Sequence, residues 1–217
     1  MNSPSSPRTG AFTDWNRRLH YYLGLYFLFF IWLFALTGLL LNHGSWQFAE
    51  FWQNRKTSKF EREFIAPPSG SPLATAQNIM QQLGVAGEIQ WVGNAPSAPR
   101  LDFRVTRPGL QYDIKAEVEK RRATVEQIKI NCWGTMRALH AFTGVRINDT
   151  QNQRDWILTT LWAYSMDAVA LGLIVMVLSG VLMWYRTGGN RLAGFLALGS
   201  GIVACGWFVV GLAWLMG

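Results

Sequence analysis

Residues Tyr21–Leu41 read YYLGLYFLFFIWLFALTGLLL, a run of 21 residues without a charged side chain. At ~1.5 Å per residue, a helix of this length crosses a hydrocarbon core of ~30 Å. Two further segments have the same character: Leu192–Gly217 contains no charged residue, and Trp156–Tyr185 contains one, Asp167. The sequence therefore predicts a mainly α-helical membrane protein with three transmembrane helices.

The composition supports this class and excludes others. Of the 217 residues, half are apolar and 15% are charged, whereas about a quarter are charged in a typical soluble domain. The first apolar run is too long for the core of a secretory signal peptide and lacks a small-residue cleavage site after it. Roughly 110 residues separate the first two spans, enough for one small domain. A soluble multidomain enzyme is excluded.

The charge distribution predicts an orientation. The formal net charge is +7, but the segment Gly44–Asp155 carries 15 basic against 11 acidic residues in a mixed pattern, so nucleic acid is not expected as a partner. The other basic residues flank the spans on one side: Arg8, Arg17, Arg18, Arg186 and Arg191. By the positive-inside rule, these residues are cytoplasmic. We therefore expect a bacterial inner-membrane protein with a cytoplasmic N-terminus and a periplasmic domain at residues 44–155.

Local patterns predict the domain organisation. We expect a disordered tail at 1–12, a first transmembrane helix at 13–43, a periplasmic α+β domain at 44–150, a second transmembrane helix at 151–186 and a third at 191–217. Within the α+β domain, apolar spacing predicts an amphipathic helix at 73–83 and alternation predicts strands at 88–92, 101–106, 111–118 and 123–128. Pro108-Gly109 is typical of a hairpin turn. A helix follows around Trp133 and stops at Gly144.

The glycine-rich third span predicts close helix packing. It contains Gly194, Gly199, Gly201, Gly206 and Gly211. Small residues allow helix backbones to approach closely within lipid. We therefore expect this span to lie against another helix.

The chain has three histidines, His20, His43 and His140, and all are predicted near a membrane boundary. Imidazole is a common axial ligand of b-type haem. His20 and His43 are 23 residues apart, about 34 Å along one helix, and cannot bind one iron. His43 and His140 are therefore the candidate haem-iron ligands on the outer side. His20 marks an inner site or a quinone contact, and Asp167 could orient one imidazole.

A purely structural role for the histidines stays open at this point, since imidazole suits a membrane boundary where one side of the ring is apolar and the other is wet. The sequence lacks a C-x-x-C-H motif and an i, i+4 histidine pair. It also lacks H-E-x-x-H, Walker A and G-x-G-x-x-G motifs. Nothing indicates a hydrolase.

Three short segments together resemble the PepSY-associated transmembrane (PepSY_TM) family. They are Arg18-Leu19-His20-Tyr21-Tyr22-Leu23-Gly24-Leu25 continuing to Thr37-Gly38, then Leu139-His140 with Thr143-Gly144, and Ser179-Gly180-Val181-Leu182-Met183-Trp184. The resemblance implies that the α+β segment is a PepSY-like domain, although Glu119-Lys120-Arg121-Arg122 replaces the family's usual Asp-x-x-Thr-Gly turn. It covers about four fifths of the chain.

The resemblance leaves two functions open. Some larger members are haem-containing reductases that deliver electrons to periplasmic ferric siderophores, which implies haem positions at His20 and His140. In this shorter chain, a homodimer or a partner membrane subunit would complete such a site, with an iron-siderophore or quinone as redox partner. The alternative is a cofactor-free accessory or regulatory subunit that binds another protein through its periplasmic domain.

Overall fold

The computed structural model describes residues 7–68, 70–94, 100–146, 153–187 and 190–215. In chain order the helices are α1 (Pro7–Asn42), α2 (Pro72–Gln82), α3 (Cys132–Ala141), α4 (Ile157–Thr187) and α5 (Arg191–Leu215). The strands are β1 (Lys56–Glu63), β2 (Glu88–Asn94), β3 (Arg100–Arg107), β4 (Leu110–Glu117) and β5 (Arg122–Lys129).

Three of the helices are long and apolar enough to cross a membrane. They cover Gly10–Asn42 in α1, Ile157–Arg186 in α4 and Arg191–Gly211 in α5. The structure confirms the predicted order of elements: one long apolar helix, a small α+β domain and two further long apolar helices. The chain divides into two compact units, residues 1–28 with 169–217 and residues 29–168.

In the first unit, two glycines let aromatic rings lie against a helix. A Cβ at Gly172 would stand 2.1 Å from the Phe27 ring, and a Cβ at Gly194 would stand 2.1 Å from the Trp184 ring. Phe27 is buried. Since real Cβ atoms do not approach so closely, glycine is required for this packing of α4 against α1 and of α5 against α4.

The middle of α5 has no such neighbour within the described chain. An added Cβ at Gly199, Gly201 or Gly206 would meet no atom within 4 Å, and none of this span is buried. Packing of these glycines against a helix of another chain therefore stays a prediction.

The second unit contains a five-stranded antiparallel sheet in the order β1-β5-β4-β3-β2. Strand residues that alternate along β3, β4 and β5 face α2 and form a buried core, which confirms the predicted sheet with one covered face. Its largest fully buried members are Phe103, Ile79, Leu83, Ile89, Ile114, Val105 and Val125. The turn at Pro108-Gly109 is confirmed, with Gly109 at φ +86°, a value that favours glycine.

Strand β1 was absent from the sequence expectation. It reads KTSKFERE, and only Phe60 is even partly covered. An edge strand with solvent on both sides needs no apolar alternation, because its pairing with β5 supplies the backbone hydrogen bonds. Its charged side chains also suit an exposed edge.

The predicted boundaries differ from the structure at two places. Residues 7–12, expected to be disordered, belong to α1, where proline is compatible with the first helical turn and Phe12 lies 4.9 Å from the Arg186 guanidinium. The second span was expected from 151, but α4 begins at Ile157. Residues 1–6, the 150/151 boundary and residues 216–217 lie outside the described residues.

Candidate functional site

His140 is held by the hydroxyl of Thr37. The Thr37 hydroxyl donates to Leu33 O at 2.7 Å, so its oxygen accepts from Nδ1–H of His140, also at 2.7 Å. The tautomer is assigned from this network. Phe34 meets the imidazole edge-on at 5.1 Å between ring centroids. Thr37 is fully buried, so α3 is tied to α1 by a buried polar contact.

His20 has an analogous arrangement in the first unit. Ser179 donates to Met176 O at 2.9 Å, and its oxygen lies 2.7 Å from Nδ1 of His20. The same nitrogen lies 3.1 Å from Met176 O. Asn16 adds a buried hydrogen bond from Nδ2 to Ser179 O at 3.1 Å. These contacts join α1 to α4.

In both places a hydroxyl residue is followed by a glycine that faces the imidazole. A Cβ at Gly38 would stand 3.6 Å from Cε1 of His140, and one at Gly180 would stand 3.4 Å from Cε1 of His20. These are van der Waals distances, so a methyl group at either position would touch the imidazole without displacing it. Thr37-Gly38 contacts His140, and Ser179-Gly180 contacts His20. In the sequence these pairs indicated only the family resemblance.

His43 has different surroundings. It is exposed in the turn after α1, and its ring lies 4.5 Å from that of Trp46. Thr37 and Gly38, which contact the His140 ring, precede His43 by five or six residues, about 8–9 Å along a helix. The two imidazoles therefore have different neighbours, Thr37 for His140 and Trp46 for His43. Haem ligation by these residues stays a prediction.

Asp167, predicted to orient an imidazole, is exposed on α4. It makes no hydrogen bond or ion pair with another residue in the described part of the chain. Its proposed role beside a haem ligand stays a prediction. Both cysteines, Cys132 and Cys205, are free thiols in the structure.

A buried acidic network went unrecognised in the sequence. The Glu88 carboxylate is 2% exposed and accepts from the backbone N–H groups of Asp155 at 2.7 Å and Trp156 at 3.0 Å. It thereby satisfies donors just before the first turn of α4. Burial raises the pKa of Glu88, while those backbone hydrogen bonds oppose the shift. The Thr159 hydroxyl lies near the carboxylate but forms no hydrogen bond of good geometry.

Asp155 extends this network to two other elements. Its carboxylate accepts from Gln77 Nε2 of α2 at 2.7 Å, from Ile89 N of β2 at 3.1 Å and from Arg146 at 2.6 Å. Its side chain is only 4% exposed. The network connects the sheet and α2 to the start of α4. Only the strand start at Glu88 was visible in the sequence, because its partners lie 67 and 68 residues away.

The fold and these contacts define a class: a membrane protein with three apolar helices long enough to span, and a small antiparallel α+β domain between the first and the second. The chain belongs to the PepSY_TM-like family, whose model matches residues 13–215. This confirms the family indicated by the histidine, threonine-glycine and serine-glycine segments. No curated protein and no solved structure matches the chain.

Proposed function

We propose that this protein is a cofactor-free accessory membrane module whose α+β domain binds another protein. The observation that carries the proposal is the contact between His140 and Thr37, 2.7 Å long and backed by Phe34 and Gly38. This contact gives His140 a structural role, because it attaches α3 to α1. The Glu88 and Asp155 network does the same for the sheet and α4.

These two attachments support a role in presentation. The sheet domain is connected to α1 through His140 and to α4 through Glu88, so its open face is held in a defined position within its own unit. A domain anchored at both ends is suited to offering a surface to a partner, because little conformational entropy remains to be lost on binding.

The open face of the sheet is the surface we assign to the partner. One cross-strand row runs through Lys59, Glu126, Asp113, Arg104 and Trp91. Lys59 pairs with Glu126 at 3.4 Å, and Arg104 forms two hydrogen bonds to Asp113. Trp91 is 42% exposed at the end of the row. An exposed indole beside ordered charges is a favourable anchor for a protein interface.

The decisive experiment is a reduced-minus-oxidised absorption spectrum of the purified full chain, expressed with haem supplied. We expect no low-spin haem bands, and His140→Ala should lower thermal stability. A stoichiometric low-spin spectrum that disappears in His140→Ala would overturn the cofactor-free proposal.

Partner binding is tested separately with a photoreactive residue at Trp91 in intact cells. A discrete protein adduct is expected from this position and not from Ile65, which is 78% exposed and lies outside the strand row. Lys115 is an exposed residue of β4, two positions after Asp113 and so on the same face of the sheet. Absence of any adduct from Trp91 and from Lys115, with the domain folded, would contradict the binding role.

A second candidate is electron transfer through b-type haem toward periplasmic iron complexes. The observation that favours it is the hydrogen bonding of His20: Nδ1 lies within reach of Met176 O and Ser179 Oγ, and this holds Nε2 as the nitrogen free to bind a metal. The second ligand would come from a homodimer or a partner subunit. The same spectrum decides between the two candidates, since haem would supply the one-electron chemistry when bound.

A further inference from the structure

The strand register gives the sheet two distinct ends. At one end, a cross-strand row joins β1, β5, β4 and β3 through Lys56, Lys129, Leu110 and Arg107. Glu88, the first residue of β2, lies at the same end. We call this the helix end of the sheet, because α3 follows β5 there and Glu88 binds the backbone before α4. Glu63, Arg122, Glu117 and Arg100 mark the far end.

Basic residues are neutralised differently at the two ends. Toward the far end, Arg100 pairs with Asp102, Lys120 with Glu117, and Arg122 with Glu61 and Glu63. At the helix end, Arg107 and Lys129 make no ion pair within the described part of the chain. Arg107 lies over the Trp156 ring at 5.8 Å. At the helix end, the positive charges of Arg107 and Lys129 are therefore not offset by an ion pair among the described residues, and the one acidic strand residue there, Glu88, is buried.

These two cations line one cavity of about 480 Å³. Its lining also includes the polar side chains of Tyr112, Gln127 and Thr135 and the indole of Trp156, and it contains no carboxylate. Gly109 lies in its wall, where a Cβ would stand 2.6 Å from Thr135 Oγ1, so the turn is packed against α3. A cavity of this composition suits an anion with several acceptor oxygens.

A second cavity of about 240 Å³ adjoins the first, because Arg107, Pro108 and Trp156 line both. Apart from Thr159, its other lining residues are apolar or aromatic. Leu139, Phe142, Leu158 and Trp162 complete its wall. Trp156 immediately precedes Ile157, the first residue of a candidate span. A polar, cationic cavity thus adjoins an apolar one at the start of a span, which matches an amphipathic ligand.

We infer that the two cavities bind one acidic phospholipid of the adjacent leaflet. Its phosphate is held between Arg107 and Lys129, and its glycerol and upper acyl groups lie against Leu139, Phe142 and Trp162. A soluble phosphate would use the cationic cavity alone. Basic side chains near an anionic membrane surface contribute about 1 kcal/mol each, equivalent to about fivefold in affinity.

The test uses native mass spectrometry of the full chain with added phosphatidylglycerol, phosphatidylcholine or inorganic phosphate. We expect one tightly bound phosphatidylglycerol, about fivefold weaker in Arg107→Gln and in Lys129→Gln. Arg122→Gln removes the same charge at the far end and serves as the matched control, so its binding should stay unchanged. Circular dichroism establishes whether each variant is folded. If Arg107→Gln is unfolded, Lys129→Gln still tests the inference, because Lys129 is exposed.

Three results would overturn the inference. Equal retention of phosphatidylglycerol and phosphatidylcholine would remove the phosphate and charge requirement. Equal weakening by Arg122→Gln would indicate attraction by net charge alone. Competition by inorganic phosphate at the same concentration as phosphatidylglycerol would indicate a soluble-anion site. None of these results depends on haem or on a protein partner.

Discussion

Thr37 and His140 are 103 residues apart in the chain, and their Oγ1 and Nδ1 atoms lie 2.7 Å apart. The hydroxyl is fully buried, and its own proton is directed to Leu33 O. The contact therefore leaves one reasonable assignment, with Nδ1–H of His140 as donor. The threonine of the Thr-Gly segment and the histidine of the Leu-His segment therefore form one contact between α1 and α3.

Removing the hydroxyl should weaken this contact without altering insertion. Thr37→Val leaves the His140 donor without its acceptor, and we expect a loss of about 1 kcal/mol, or about 2–4 °C in Tm for a chain of this size. Thr37→Ser keeps the hydroxyl and should retain most of the stability. Thermal unfolding in detergent micelles measures both. Equal stability of the valine variant and the native chain would contradict a structural role for His140.

The corresponding contact at His20 should respond in the same way. Ser179→Ala removes the oxygen that lies 2.7 Å from Nδ1 of His20, and a similar loss of about 1 kcal/mol is expected. Ser165→Ala is the matched control, because Ser165 is exposed on α4 and, among the described residues, donates only to Leu161 O of its own helix. If both alanine variants lose the same stability, the effect belongs to the hydrogen bond that each serine donates within α4 and not to His20.

Gly172 and Gly201 should differ sharply in their tolerance of a methyl group. Gly172→Ala places a Cβ 2.1 Å from the Phe27 ring, and overpacking of this kind typically costs about 1–3 kcal/mol. At Gly201 the space is open, so Gly201→Ala should change the stability of the monomer by less than about 0.5 kcal/mol. Tm in micelles compares the two.

The bulkier Gly201→Leu and Gly206→Leu variants test association of α5 with another chain. Both should weaken oligomer formation if these glycines form a close interchain contact. Normal assembly of both variants, measured by crosslinking in membranes, would indicate that the glycines face lipid.

Stability should fall as the buried Glu88 ionises. Because burial raises its pKa above the ordinary value of 4.5, the folded state favours the protonated form more than the unfolded state does. The contribution of Glu88 is therefore fully present below pH 4.5 and is lost as pH rises through its raised pKa. The Tm difference between the native chain and Glu88→Gln should favour the native chain more at pH 4.5 than at pH 7.5.

A Tm difference that is constant over this interval would contradict the raised pKa. Glu126→Gln is a useful comparison. Glu126 pairs with Lys59 across an exposed strand pair, so its removal should not produce the same trend.

The orientation is tested with topology reporters. Arg17, Arg18, Arg186 and Arg191 predict that a reporter fused after Gly188 is cytoplasmic and that one inserted near Ser97 is periplasmic. Both insertion points lie outside the described residues. The opposite pattern of alkaline phosphatase and green fluorescent protein activity would contradict the predicted orientation.

Features that depend on neighbouring residues were predictable from the sequence. The uncharged run Tyr21–Leu41, the alternation along β3 and β5 and the Pro108-Gly109 turn each express a local preference, for lipid, for a half-buried sheet or for a positive φ. Each was found at the expected place. Strand β1 could not be predicted in this way. An exposed edge strand has no local apolar pattern, and β1 forms because β5 pairs with it.

The partners of the histidines depended on the packing of distant elements. The sequence contains His20, His43 and His140 at comparable predicted boundaries, and nothing local distinguishes a residue that meets a hydroxyl from one that stacks on Trp46. Which imidazole reaches Thr37 or Ser179 is set by the register of helices that are over 100 residues apart. The burial of Glu88 has the same origin, because its donors come from backbone groups before α4 that only the folded chain brings to β2.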